Sequence, residues 1–255
     1  MVSFNDINNT ILDNDFSVNR STAGTTVSSS INQSDNTNTS SHAESLVTVG
    51  GTSGGDPFSR FNVSGTQSFT LGIDNSDSDN FKITDGASPS AGTEFLNLDT
   101  SGRFNYPLQP AFSAYRNASV NNVTGDGTSY TVIFDTEFFD IGSNFDTTTG
   151  LFSAPIDGIY IFTGSIFVQN IDNATMNVGN SSFSFTSGLH TYWGMNPANA
   201  EQGNSDLVLG GSCIRQLSAG QTAGMLIQIS GGTLSVDLRG NATGQDTWFQ
   251  GWLLG

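Results

Sequence analysis

The chain has 255 residues, with Lys+Arg 7 against Asp+Glu 23, a formal charge of −16, 12% charged and 35% hydrophobic residues. That length allows one large domain or two smaller ones with a real core. The acidity excludes a cationic surface for nucleic acid, and a single lysine, Lys82, among six arginines offers no basic patch to an anionic membrane. No stretch approaches the ~20 apolar residues of a membrane helix, so no membrane insertion is expected. The opening MVSFNDINNTILDND lacks the basic and apolar regions of a secretory signal. A chain poor in Ala, Leu, Lys and Glu but rich in Gly, Ser, Thr, Asn and Phe is expected to be all-β with many turns.

Residues 1–50 read as an N-terminal attachment segment. They fall in a polar tract centred on SSSINQSDNTNTSSH, which buries too little apolar surface to offset its ordering entropy. Short alternating pieces (Phe16 and Val18, Val27 and Ile31) would need a core borrowed from partner chains. One short helix is expected near 5–13, where Ile7, Ile11 and Leu12 share a face; at that length it needs tertiary support. Residues 51–106 read as a thin β-rich stem: FSRFNVSG, SFTLGI, NFKIT and EFLNLDTSGRFNY are short strands between Gly and Asp turns. They are too few for a self-sufficient sandwich, so other copies should complete them. In the turn DNSDSD, Asp74, Asp77 and Asp79 are candidate hard ligands for calcium, set against a solvated turn whose Asp and Asn bond their own backbone. No other cofactor is expected.

Pro107 and Pro110 mark a boundary, and residues 107–255 read as a head. YTVIFD, GIYIFTGSIFVQ, MLIQIS, LSVDL and TWFQGWLL give the density of short strands found in a sandwich or jelly roll. Phe134, Phe152, Tyr160, Phe162, Trp248, Phe249 and Trp252 are expected in the core or at subunit contacts. The last strand is too apolar for an open edge, so it should be central or covered by a neighbour. Cys213, the one cysteine, reads as a small buried hydrophobe. Recognition is expected in the segment HTYWGMNPANAEQGNSD, where Tyr192 and Trp193 adjoin Asn196, Asn199, Asn204 and Asp206: rings for sugar faces, amides and a carboxylate for hydroxyls. The opposing reading packs both aromatics into the core. RGNATGQD at 239–246 lies beside that loop or at the opposite end.

Phe134, Asp140, Phe145, Phe152, Gly158, Tyr160 and Phe162 follow a spacing that resembles the globular head of complement component one-q, a trimeric jelly roll of the tumour-necrosis-factor-like superfamily. The closing TWFQGWLL is similar to that family's last strand, while Gly164 stands where the spacing calls for an aromatic. The resemblance covers about 110–255. Residues 35–112 resemble modules of bacteriophage tail-fibre and virion-surface proteins through His42-Ala43, Gly54-Gly55-Asp56-Pro57 and Gly72 to Asp79. No Gly-X-Y collagen stalk precedes the head. With two distant histidines, His42 and His190, and no nucleophile elbow, Walker loop or zinc spacing, no enzyme is expected. Together these imply a homotrimeric, non-enzymatic virion fibre, at the particle surface or tail. Its N-terminus would meet other virion proteins and its head a host-surface glycan or protein. The alternatives are a capsid decoration protein without receptor binding and a cellular one-q-like lectin.

Overall fold

A computed structural model describes residues 34, 37, 39, 40, 42–186, 188–196 and 205–255. Among them there is no helix; the one expected near 5–13 lies outside the described residues, as do Phe16, Val18, Val27 and Ile31. The first five strands, β1 (Phe58–Val63), β2 (Gln67–Asp74), β3 (Asn80–Thr84), β4 (Glu94–Leu98) and β5 (Phe104–Asn105), pair in chain order as one antiparallel meander. This meander shares no strand with the sheets of the head.

The stem sheet is a single layer with two unlike faces, because alternate residues of a strand point to opposite sides. Phe61 pairs with Phe69, Leu71 with Ile83, Ile73 with Phe81, and Phe81 with Leu98, so one face is predominantly apolar, Ser59 and Gln67 being its polar members in β1 and β2. On the other face Thr70, Asp74, Lys82 and Thr84 are all buried. The 85–93 loop covers that polar face: Thr70 Oγ1 donates to the Gly86 carbonyl at 2.7 Å and Thr84 Oγ1 to Ser88 at 3.1 Å. Within one chain the sheet is inside out. Its buried side chains are polar, while Phe61 and Val63 are each 64% exposed and Phe104 60%.

The head continues with β6 (Ala111–Tyr115), β7 (Ala118–Thr124), β8 (Ser129–Thr131), β9 (Thr136–Ile141), β10 (Phe145–Asp146), β11 (Leu151–Ser153) and β12 (Gly158–Gln169). Then come β13 (Val178–Phe185), β14 (His190–Met195), β15 (Leu207–Leu217), β16 (Thr222–Ser230), β17 (Val236–Asn241) and β18 (Trp248–Leu253). Two antiparallel sheets form a jelly-roll sandwich. One has the order β7-β17-β12-β18-β6-β9, with β15 along the other side of β12; the second has β10-β11-β16-β13-β14, with β8 beside β16. The apolar last strand is central, between β12 and β6, as its composition required. YTVIFD is strand only at its start: from Val132 the chain crosses between sheets, with Val132 and Phe134 fully buried.

Aromatic rings fill the space between the sheets. Phe112 stacks on Phe145 at 4.7 Å and on Phe152 at 5.0 Å, and meets the edge of Phe249 at 4.9 Å. Phe134, Phe152, Tyr160, Phe162 and Phe249 are fully buried, each stabilising the fold by about 1.5–3 kcal/mol. Gly251 is required among them: a Cβ there would sit 2.6 Å from Phe162 Cδ1 and 2.8 Å from Phe112 Cε1. Tyr160 keeps its hydroxyl satisfied by donating to the Ile156 carbonyl at 2.8 Å. Asp140 accepts from the Phe145 amide at 2.8 Å and so closes the β9–β10 turn. At Gly164, where an aromatic was expected, the volume belongs to Met225 of the facing sheet, whose Sδ and Cε lie where a side chain would begin.

Candidate functional site

Strand register gives the head two ends. The chain enters at Pro110, whose carbonyl accepts from Leu253, and Ala111 pairs with Trp252, itself opposite Ile161 near the start of β12. At the far end of β12, Gln169 Nε2 donates to Asp206 at 3.4 Å and the Phe167 amide to Thr247 Oγ1 at 3.0 Å. Asp206 and the 239–246 turn therefore lie at one end of the sandwich, remote from the stem. Arg239, which pairs with Asp246 at 2.8 Å and sits 4.6 Å over the Phe167 ring, pins that turn.

The two aromatics expected to act together are separated by strand alternation. Trp193 turns inward: it meets Phe183 edge-on at 4.7 Å and lies over Gly211, where a Cβ would collide with the indole. This corrects the expectation that Trp193 shares a ligand surface with Tyr192. Tyr192 points outward and is 61% exposed, stacked on His190 at 5.3 Å. Asn196 is exposed just beyond β14. Asn199 and Asn204 lie outside the described residues.

Tyr192 stands over a groove of about 270 Å³ on the outer face of the six-stranded sheet. Ser129 of β8, Asn180 and Ser182 of β13, His190 of β14, and Leu226 and Gln228 of β16 complete its lining. No Lys, Arg, Asp or Glu side chain is among them. Gln228 is fixed by donating its Nε2 to the Gly127 carbonyl at 2.7 Å, which leaves its Oε1 as an acceptor. Sequence reading missed these partners because they come from four strands spread over 129–228.

The outer face of the seven-stranded sheet is different in character. Ile214, Ile161, Trp252, Ala111 and Ile141 are successive register partners across β15, β12, β18, β6 and β9, a continuous apolar row. Ile214 is 61% exposed and Trp252 39%. The aromatics named together from sequence thus divide: Phe249 is core, while Trp248 and Trp252 belong to this outer face. Tyr106, Trp252 and Ile141 line a shallow cleft with Phe104, carrying the apolar surface from head to stem.

The aspartates of DNSDSD are not gathered round an open cavity. Lys82 Nζ takes Asp74 at 3.0 Å, Asp77 at 2.6 Å and Glu94 at 3.1 Å. Burial opposes the lysine's charge, but hydrogen bonds to Asp77, Asp74 and Glu94 outweigh it and hold its pKa above the ordinary value. Asp74 is held below the usual carboxylate range, burial being outweighed by hydrogen bonds from Ser76 and Lys82. Asp79 is exposed in the tight turn. Among the described residues no group of three His, Cys, Asp or Glu side chains is arranged to hold a metal. Of the remaining reactive groups, Cys213 has its thiol pushed up by burial, and Asp135 is engaged by Arg116 at 3.1 Å and by the Asn117 amide.

Residues 111–254 match the C1q domain. Among solved structures, the globular domain of a zebrafish complement 1qA protein is 16% identical over 58% of this chain and 98% of its own, with a TM-score of 0.41. Murine APRIL, crystallised at pH 8.5, is 10% identical over 57% of this chain and 99% of its own, with a TM-score of 0.40. Eiger, a tumour necrosis factor from S. frugiperda, is 12% identical over 58% and 93%, also at 0.40. The jelly roll, the aromatic core built on Phe134 to Phe162 and the match over 111–254 lead to one assignment: the chain belongs to the C1q domain family.

Proposed function

We propose that this protein is a non-enzymatic, homotrimeric fibre of a bacterial virus particle, with a C1q head that attaches to the host surface. The observation that carries the reading is the inverted stem sheet. A single layer with polar side chains buried and Phe61, Val63, Phe69, Ile73 and Phe104 exposed presents the kind of apolar patch that marks a protein–protein surface. Three copies around one axis bury that face equivalently in each. The Ile214–Ile141 row adjoins the cleft at Phe104 and Trp252 that leads to the stem, which supports closure of head and stem in one trimer. A stem of this kind, in place of a collagen stalk, matches the resemblance of 35–112 to virion fibres. It leaves the N-terminus for other virion proteins and the far end of the head for the host.

Light scattering on the full chain should give three times 26.9 kDa. Ile214→Asp, which puts a charge on the apolar row, should dissociate it while leaving far-ultraviolet circular dichroism β-like. Antibody-labelled particles viewed by electron microscopy should carry the protein at the surface or tail. A wild-type chain that is a soluble monomer at micromolar concentration overturns the trimer, and absence from particles overturns the virion role.

A further inference from the structure

We infer that the groove under Tyr192 is a binding site for one neutral sugar ring. The inference rests on reading the head as a recognition module, but places the contact on the side of the six-stranded sheet and not in the 196–206 loop. Three observations carry it. First, Tyr192 holds a large ring 61% exposed on a sheet face, and His190 stacked beneath it at 27° fixes the ring's tilt. An aromatic face offered this way suits the apolar C–H face of a pyranose. Second, amides and hydroxyls line the groove beside the two rings. The Asn180 amide makes no side-chain hydrogen bond among the described residues, Ser129 and Ser182 add hydroxyls, and Gln228 presents Oε1 because its Nε2 is held by Gly127. Amides and hydroxyls on fixed strands can both donate to and accept from the hydroxyls of a sugar. Third, a lining without Lys or Arg in a chain of charge −16 offers an acidic sugar no permanent cation, and the field of the whole protein repels it.

The volume limits the ligand. At about 270 Å³ the groove falls just under the lower bound of about 300 Å³ for drug-sized ligands, which fits one ring of a glycan with its neighbours left in solvent. Such a site is weak alone, with a dissociation constant on the order of 1 mM. Several copies on one particle convert weak contacts into firm attachment through effective concentration.

The test uses the full-length protein and saturation-transfer NMR with the methyl glycosides of glucose, galactose and N-acetylglucosamine, and with sialic acid and glucuronate as acidic controls. At least one neutral glycoside should give a saturable signal. Tyr192→Ala should weaken it about tenfold and Asn180→Ala several-fold, both with unchanged melting because neither side chain is part of the core. Tyr192→Phe, which keeps the ring, should retain most of the binding and covers the case in which the alanine variant unfolds. No saturable neutral glycoside, tighter binding of the acidic sugars, or wild-type affinity in both alanine variants overturns the proposal. Binding to host cells is measured in parallel. Cell attachment that persists in Tyr192→Ala rejects the groove and leaves the fibre reading standing, whereas groove-dependent glycoside binding without cell attachment does the reverse.

Discussion

Exchanging volume between Gly164 and Met225 tests the packing of the head most directly. Gly164 sits on β12 between the fully buried Phe162 and Ile166, where the family spacing calls for an aromatic. The Met225 side chain reaches across from β16 into that position, with its Cε 3.0 Å from a Cβ built at Gly164. Met225→Ala leaves a cavity and should cost about 2–5 kcal/mol. Gly164→Phe alone forces a ring into methionine and into the Trp248 carbonyl, also 3.0 Å from that Cβ, and should cost about 1–3 kcal/mol or more. If the two residues share one volume, the double variant Gly164→Phe/Met225→Ala should be more stable than either single one. That gives a favourable coupling of at least about 2 kcal/mol, beyond the few tenths expected of independent sites. Urea denaturation followed by tryptophan fluorescence reads all four proteins. Losses that simply add would refute the argument that Met225 substitutes for the missing aromatic.

The remaining predictions concern other parts of the molecule. Gly251→Ala should destabilise the head by about 1–3 kcal/mol, because rigid Phe162 and Phe112 rings stand on both sides of the new methyl; unchanged urea stability would contradict the stacked geometry. The stem should depend on pH at both extremes. Asp74 has a lowered pKa in the folded state, so its contribution is present above the unfolded value near 3.8 and lost as pH falls below that. Lys82 has a raised pKa, so its contribution is full below 10.5 and lost as pH climbs past its folded value. Lys82→Met leaves Asp74 buried with its Ser76 hydrogen bonds but no counter-charge and should cost about 3–5 kcal/mol. With the lysine's hydrogen bond and charge removed from Asp74, acid melting should begin at a higher pH than in the wild type; an unmoved acid transition would show that the cluster is incidental.

Much of the fold could be read in the sequence because alternation and turn chemistry are local signals. NFKIT and GIYIFTGSIFVQ coincide with β3 and β12, and the aromatic spacing from Phe134 to Phe162 marks residues that meet in the core. What could not be read depends on contacts between distant segments. The DNSDSD turn looks like a cation site until Lys82, on the next strand, is seen to supply the cation. Adjacent aromatics at 192 and 193 look like one surface until Gly211, from another sheet, opens a place for the indole and sends its neighbour outward.

Alternation fixes that a strand has two faces, but what covers each face decides which one is inside. In the head the covering is a second sheet, so the apolar face of β12 is core and the pattern reads in the usual way. In the stem the 85–93 loop closes over Thr70 and Thr84 instead, and the same alternation leaves Phe69 and Ile73 in the open. Burying Lys82 and Asp74 is costly unless each charge is paired, and the two pair with each other, with the more exposed Asp77 and Glu94 completing the lysine's contacts within one chain. The polar face is therefore complete without a partner. The apolar face is the one left uncovered, and in the proposed trimer it is hydrophobic burial between chains, not within one, that would tie folding of the stem to assembly.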